Sequence, residues 1–221
     1  MGFWAVITRF GEAQILLPAC AAALLWLLFA SAAGPRSLPR HGGRAAAWRW
    51  GAGLCTTTFV TTASKVAFLG FGMGWAALDF TGFSGHAMFS CAVLPVLAGV
   101  VAGRGGAFTG ALLAALVVVS RVQVGAHSWS EAVSGALLGA VVAAWALRAW
   151  FEPPGPVHPP WWLPLALVAW LSVLPAHAPP PRTHDAVVRL SLWVSGRSQP
   201  YTRRQMRLES ARPSQSPSTS R

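Results

Sequence analysis

Apolar residues run along this chain in long blocks, and the few polar side chains inside them collect near the ends of particular blocks. Five blocks are long enough to cross a hydrocarbon core about 30 Å thick, which takes roughly 20 helical residues. They lie near Ala13 to Ala33, Gly51 to Phe71, Ser84 to Gly103, Gly106 to Val124 and Glu131 to Trp150. A sixth, Pro160 to Ala178, is shorter and contains Pro164 and Pro175, which a helix tolerates near an interface. The pattern predicts an all-α, polytopic membrane bundle of about six transmembrane helices. The first block also resembles a secretory signal, because Ala30-Ser31-Ala32-Ala33 follows the apolar run. It is long for a signal core and only Arg9 and Glu12 are charged ahead of it, so a retained helix is the expectation.

Connections between the blocks are short, which favours antiparallel neighbours in a compact bundle. Pro153-Pro154-Gly155-Pro156 breaks the chain before the sixth block. Small residues recur four apart at Gly99 and Gly103, Gly106 and Gly110, and Gly135 and Gly139. Such pairs let membrane helices approach closely, and packing within one bundle is the simpler use of them than a dimer interface. The chain divides into a membrane domain, 1–178, with its polar motifs between 65 and 131, and a basic tail, 179–221. Within the tail, Thr183 to Gly196 fits an amphipathic surface helix or an alternating strand, and the sequence leaves both open. Ser210 to Arg221, rich in serine, proline and arginine, is expected to be disordered.

Composition supports the membrane reading: 54% of the 221 residues are hydrophobic and only 10% charged, against about a quarter in soluble domains. The net charge of +11 does not point to nucleic acid, because the arginines flank spans or lie in the tail, where they report topology and attraction to anionic lipid. The tryptophans at Trp48, Trp50, Trp145, Trp150, Trp161 and Trp162 likewise sit near span ends, where an amphipathic ring suits the headgroup layer. Cys20, Cys55 and Cys91 fall inside spans as small apolar residues, with neither disulfide nor metal-finger spacing.

Against this background the titratable residues stand out. Alternation of helix direction brings Lys65, the Ser84-Gly85-His86 start of the third block, Ser120-Arg121, His127 and Glu131 to one membrane face. A histidine and a glutamate four apart share a helical face, so Glu131 can accept a ring N–H and leave the other imidazole nitrogen of His127 free to attack. Arg121 offers a planar fork for phosphate oxygens and Lys65 a point charge. The Ser84 hydroxyl and Gly85 amide, at a helix start, are anion donors, and His86 is placed to protonate a leaving group. Any one of these alone would be read as a satisfied polar residue at a span end. Their convergence points to phosphoryl chemistry. His41, His158, His177 and His184 have no comparable neighbours.

Ser84-Gly85-His86 followed by Ser120-Arg121, five residues, His127, three residues and an acid resembles the type-2 phosphatidic-acid phosphatase superfamily. The resemblance covers about a third of the chain, Ser64 to Gly135. It implies a helical bundle and metal-independent hydrolysis of phosphomonoesters or diphosphates through a phosphohistidine, with no cofactor. Carried onto this sequence, it makes His127 the nucleophile, Glu131 its orienting acid, His86 the leaving-group acid, and Lys65, Ser84, Gly85 and Arg121 the phosphate cradle. Three departures accompany it. Gly72-Met73 stands where the family has Arg-Pro, Phe83 replaces a proline, and Glu131 replaces an aspartate. The missing arginine removes a phosphate ligand, an interaction typically worth about 1.5 to 3 kcal/mol.

The expected protein is therefore an integral membrane lipid phosphatase acting on phosphatidic acid, phosphatidylglycerophosphate or a polyprenyl diphosphate. The alternative is a weakened member that binds phosphorylated lipid without turnover. A transporter fits less well, since the charges gather at one face and not at the midplane. Arg36, Arg40, Arg44, Arg49, Arg104 and Arg148 lie on the opposite side, which puts the active site on the non-cytoplasmic face, in a bacterial cell membrane. The arginine-rich tail would then share that face if the sixth block spans.

Overall fold

A computed structural model of the chain describes residues 2–33, 41–151, 162, 166, 169, 170 and 183–211. A short helix α1 (Phe3–Arg9) turns into α2 (Ala13–Ala33), followed by α3 (His41–Phe71), a 3-10 turn at Ala76–Leu78, α4 (Gly85–Gln123) and α5 (Trp129–Phe151). Two further helices, α6 (Thr183–Ser195) and α7 (Arg203–Ser210), come from the tail. No strand forms among the described residues, where β-structure is limited to one bridge between Trp75 and Phe80.

Helix α3 starts ten residues before the apolar block expected at Gly51. After an opening His41-Gly42-Gly43, the added turns carry Arg44, Ala45, Ala46, Ala47 and Arg49, good helix formers whose arginines keep the stretch out of an apolar block. Within that extension Trp50 is fully buried and donates its indole N–H to the carbonyl of Ala92 at 2.8 Å.

Helix α4 is two helices in one run. Ala102 (φ −127°, ψ 22°) and Gly103 (φ 65°, ψ −150°) leave helical geometry, and the positive φ at Gly103 is one that an L side chain resists. A Cβ at Gly106 would lie 2.0 Å from the carbonyl oxygen of Ala98, and one at Gly110 would lie 2.4 Å from that of Leu94. In a straight helix those partners would be about 12 and 24 Å apart. Segments 85–101 and 104–123 are therefore antiparallel arms of a hairpin, as the break expected between the third and fourth blocks implied.

The same close approach joins α4 to α5. A Cβ at Gly135 would lie 2.6 Å from Ser84 O and one at Gly139 would lie 2.1 Å from Met88 O. Two of the three glycine pairs, Gly106/Gly110 and Gly135/Gly139, serve backbone contact inside the bundle, whereas Gly99 faces the Leu147 and Ala107 side chains and Gly103 faces open space. Around them Leu16, Leu27, Trp50, Val93, Val96 and Ala146 form a fully buried core.

Among the described residues four helices are long and apolar enough to cross a membrane: Phe3–Phe29, Gly43–Phe71, Gly85–Gln123 and Trp129–Phe151. The expected number was about six. The α4 hairpin accounts for one of the difference, and most of the Pro160 to Ala178 block lies outside the described residues. Of its four described residues, Trp170 donates its indole N–H to Ile15 O at 2.8 Å, alongside α2.

The tail packs on the end of the bundle where α3 finishes. Segment 183–196, open between helix and strand in the sequence, is helical as α6, and a Cβ at Gly70 of α3 would meet Ser191 O and the Ser195 side chain at 3.1 Å. Beyond it Tyr201 N–H donates to Leu69 O at 2.8 Å, and Phe68, Tyr201 and Met206 form a buried cluster. Burying side chains of this size is worth roughly 1.5–3 kcal/mol each. Helix α7 begins with a capping box in which Thr202 and Gln205 satisfy each other's backbone N–H groups.

Candidate active site

The loop carrying His127 is made by two helix caps placed back to back. The arm 104–123 ends in a Schellman motif: Gly125, with φ 70°, donates to Val122 O at 2.9 Å, and Ala126 N–H donates to Arg121 O at 3.1 Å. Three residues later α5 opens with a capping box. Ser128 Oγ accepts from Glu131 N–H at 3.4 Å, and Glu131 Oε2 accepts from Ser128 N–H at 3.2 Å. These two caps set the spacing of Arg121, His127 and Glu131. They also explain why a glutamate serves at position 131, since its extra methylene lets the carboxylate reach back to the cap.

The carboxylate of Glu131 is fully buried and is met by donors at both oxygens. Oε2 lies 2.7 Å from His127 Nδ1. Oε1 accepts from Thr81 N–H at 2.7 Å, from the Thr81 hydroxyl, and from Arg203 Nη2 at 2.8 Å. An ionised carboxylate only accepts, so the shared proton belongs on Nδ1 of His127 and the Nε2 lone pair is left free. Burial holds His127 below the ordinary histidine range, the hydrogen bond it donates to Glu131 works the other way, and the charges of Lys65 and Arg121 reinforce the burial. The imidazole is neutral at neutral pH.

The expected cations and the second histidine converge here. Lys65 is within electrostatic reach of Arg121 and Glu131, and His86 of Arg121, Lys65 and His127. Arg121 Nη1 donates to the Thr8 hydroxyl of α1 at 2.6 Å, while its Nε is buried with no hydrogen-bond partner among the described residues. The guanidinium is held from one side and keeps donor capacity on another. Ser84 is the N-cap of α4, with its buried hydroxyl accepting from Ala87 N–H at 3.5 Å and its own N–H donating to Glu131 O at 3.1 Å. That bond, with the close approach of Gly135, fixes the Ser84-Gly85-His86 start against the first turn of α5.

The loop 72–83 closes the site. Phe83 N–H donates to Ser64 Oγ at 3.1 Å, a bond a proline could not make, so this departure from the family pattern ties the loop to the residue beside Lys65. Asp79, in the left-handed region at φ 50°, accepts from Arg203 at 2.6 Å and from Arg207 at 2.8 Å. Burial works against ionisation of Asp79, but the hydrogen bonds from Arg207 and Arg203 prevail and hold its carboxyl below the usual range.

Sequence reasoning missed Thr81, Thr8, Asp79 and Arg203. The capping box Ser128-Trp129-Ser130-Glu131 was a readable signal for the geometry of Glu131. Nothing singled out Arg203 among the tail arginines.

The structure also changes the meaning of Gly72. Its φ is 72°, and a Cβ there would lie 3.2 Å from the ring of Tyr201. An arginine at this position meets both a strained backbone, at about 1–2 kcal/mol, and the tail. Gly72→Arg is therefore expected not to raise phosphate release above wild type and to expose Arg203, Arg204 and Arg207 to trypsin, which limited proteolysis with mass mapping will show.

Four helices long and apolar enough to cross a membrane, among the described residues, define an integral membrane protein, with a histidine–carboxylate pair beside lysine and arginine at one end. A family model described as the PAP2 superfamily matches residues 56–153. An "Uncharacterized 22.5 kDa protein in cps region" of Klebsiella pneumoniae is 33% identical over 209 residues, spanning 90% of this chain and 95% of that relative. No solved structure matches the chain. The chain belongs to the PAP2 superfamily, the type-2 phosphatidic-acid phosphatases, and membership carries a phosphatase-type function.

Proposed function

We propose that this protein is a lipid phosphatase that cleaves a phosphomonoester or diphosphate through a phosphohistidine at His127. The observation that carries the proposal is the 2.7 Å contact of His127 Nδ1 with the buried Glu131 carboxylate, in a site whose other members are Lys65, Arg121 and His86. In the first step Nε2 of His127 attacks phosphorus in line, the bond to the leaving oxygen breaks, and His86 supplies that oxygen's proton. Glu131 stabilises the positive charge that grows on the ring. Arg121, Lys65 and the amides at Ser84 and Gly85 hold the equatorial oxygens. In the second step water, giving its proton to His86, cleaves the phosphorus–nitrogen bond and releases phosphate.

A lipid substrate is supported by the surroundings of the site. Phe71, Met73, Trp75, Leu78, Val124 and Trp129 are each at least 40% exposed on the segments that frame it, an apolar rim suited to the headgroup layer. The arginine distribution favours the non-cytoplasmic face of a bacterial cell membrane, since Arg44, Arg49, Arg104 and Arg148 belong to the far end and Arg36 and Arg40 precede the same helix in sequence. Tail arginines share the catalytic end, where Arg203 and Arg207 are neutralised by acidic partners.

Purified protein in detergent with a chelator is expected to release phosphate from at least one of phosphatidic acid, phosphatidylglycerophosphate and a polyprenyl diphosphate, and orthovanadate, a mimic of five-coordinate phosphorus, is expected to inhibit. Strict dependence on added divalent ion would overturn the mechanism. Saturable binding of these lipids with no release would establish a binding protein instead.

A further inference from the structure

We propose that Arg203, delivered by the C-terminal helix α7, is a positioning residue for the His127–Glu131 pair, so that the tail completes the active site. This rests on the phosphohistidine reading above. Of the two oxygens of Glu131, Oε2 is committed to His127 and to the cap at Ser128, and Oε1 faces Thr81 and Arg203. The Arg203 guanidinium is the cation in direct ion-pair contact with this buried carboxylate among the described residues. Lys65 and Arg121 are also near, but a bound phosphoryl group draws on both of them. Arg203 balances the Glu131 charge whether or not the phosphate is present, and by holding Oε1 it sets the direction in which Oε2 meets His127.

The geometry uses the whole fork. Nη2 reaches Glu131 Oε1 at 2.8 Å, while Nη1 reaches Asp79 O at 2.9 Å and Asp79 Oδ2 at 2.6 Å. A lysine ammonium, a single point, cannot span two carboxylates with this directionality. The fork is anchored from both sides of the chain, because Tyr201 and Met206 plug into the Phe68 cluster and Thr202 caps the helix on which Arg203 stands. Asp79, the receiving residue, is held in a left-handed conformation that non-glycine residues adopt rarely, as expected where surrounding contacts over-determine a position.

The test uses full-length protein in detergent with Arg203→Gln, Arg203→Lys and Arg207→Gln. Two readouts are followed against pH: kcat/KM on a short-chain phosphatidic acid, and the rate at which diethyl pyrocarbonate labels His127, resolved by peptide mass mapping. The charged and titratable groups facing His127 are Lys65 on α3, His86 and Arg121 on α4, and Glu131 on α5, all unchanged in these variants. Without Arg203 the Glu131 charge is less balanced, so it stabilises the imidazolium of His127 more strongly, and the acid limb moves to higher pH. Arg203→Gln is expected to lower kcat/KM at neutral pH by at least about tenfold and to raise both the acid limb and the labelling midpoint by roughly half a unit or more. Arg203→Lys recovers part of both effects, and Arg207→Gln, which removes only a contact to Asp79, moves neither midpoint. Unchanged midpoints in Arg203→Gln, or equal shifts in Arg207→Gln, would show that Arg203 merely anchors the tail. If wild-type protein released no phosphate from any lipid, the phosphatase reading would fail while the labelling midpoint still decided the role of Arg203.

Discussion

His127→Ala is expected to abolish turnover, with a loss of at least about a thousandfold, and to remove any acid-labile phosphoenzyme trapped by rapid quenching. The size of the effect follows from the chemistry. No other imidazole at this end pairs with a buried carboxylate among the described residues, and removing the nucleophile leaves the cations with a phosphate to hold but nothing to transfer it to. His86→Ala should behave differently. It should spare phosphoenzyme formation from an activated aryl phosphate, whose leaving group needs no proton, and damage the reaction of a lipid alkyl ester. Equal losses on both substrates would remove the acid role from His86. The wild-type pH profile supplies a companion check. Burial first, then Lys65 and Arg121, hold His127 below the ordinary histidine range against the opposing hydrogen bond to Glu131, and in the proposed mechanism the neutral ring is the active form. Activity is therefore retained as pH falls through about 6.5, the unperturbed histidine value, and is lost only at the lower pH where the buried ring protonates.

Arg121→Lys is expected to cost at least about 2 kcal/mol of transition-state stabilisation, roughly thirtyfold in kcat/KM, with protein amount and folding verified. Arg121 gives one terminal nitrogen to Thr8 and has a buried Nε with no hydrogen-bond partner among the described residues, so the fork is oriented by α1 and still has donors to offer. A lysine either keeps the Thr8 contact or reaches the phosphate, and its single point charge cannot do both. The position of Gly72 beneath Tyr201 makes the dependence sharper, because no arginine stands there to share the phosphate charge. Near-wild-type activity in Arg121→Lys would show that Arg121 is not the phosphate fork.

Much of the candidate site was legible in the sequence. Lys65, Ser84, Gly85, His86, Arg121, His127 and Glu131 were placed on one face by helix direction alone, and the structure brings them to one end of the bundle. Two of the three glycine pairs announced close contacts that are backbone-to-backbone, Gly99/Gly103 being the exception, and the bounds of α2 coincide with the first apolar block. Less was legible at polar helix ends. The start of α3 at His41 escaped because its opening turns are charged, and hydropathy measures transfer into lipid, not helical propensity.

Sequence was enough to read a helical membrane protein of the phosphatase superfamily, with the family's motif residues gathered at one end. Both conclusions rest on local quantities: the length of an apolar run against the thickness of a bilayer, and residue spacings read on a helix of known pitch. The long-range contacts came from the tertiary structure alone: the tail packs beside the histidine–carboxylate pair, Tyr201 fills the space over Gly72, and Arg203 meets Glu131 across 72 residues of sequence. Such contacts depend on where elements far apart in the chain come to rest. One arginine among many in a basic tail carries no local mark of the carboxylate it will find.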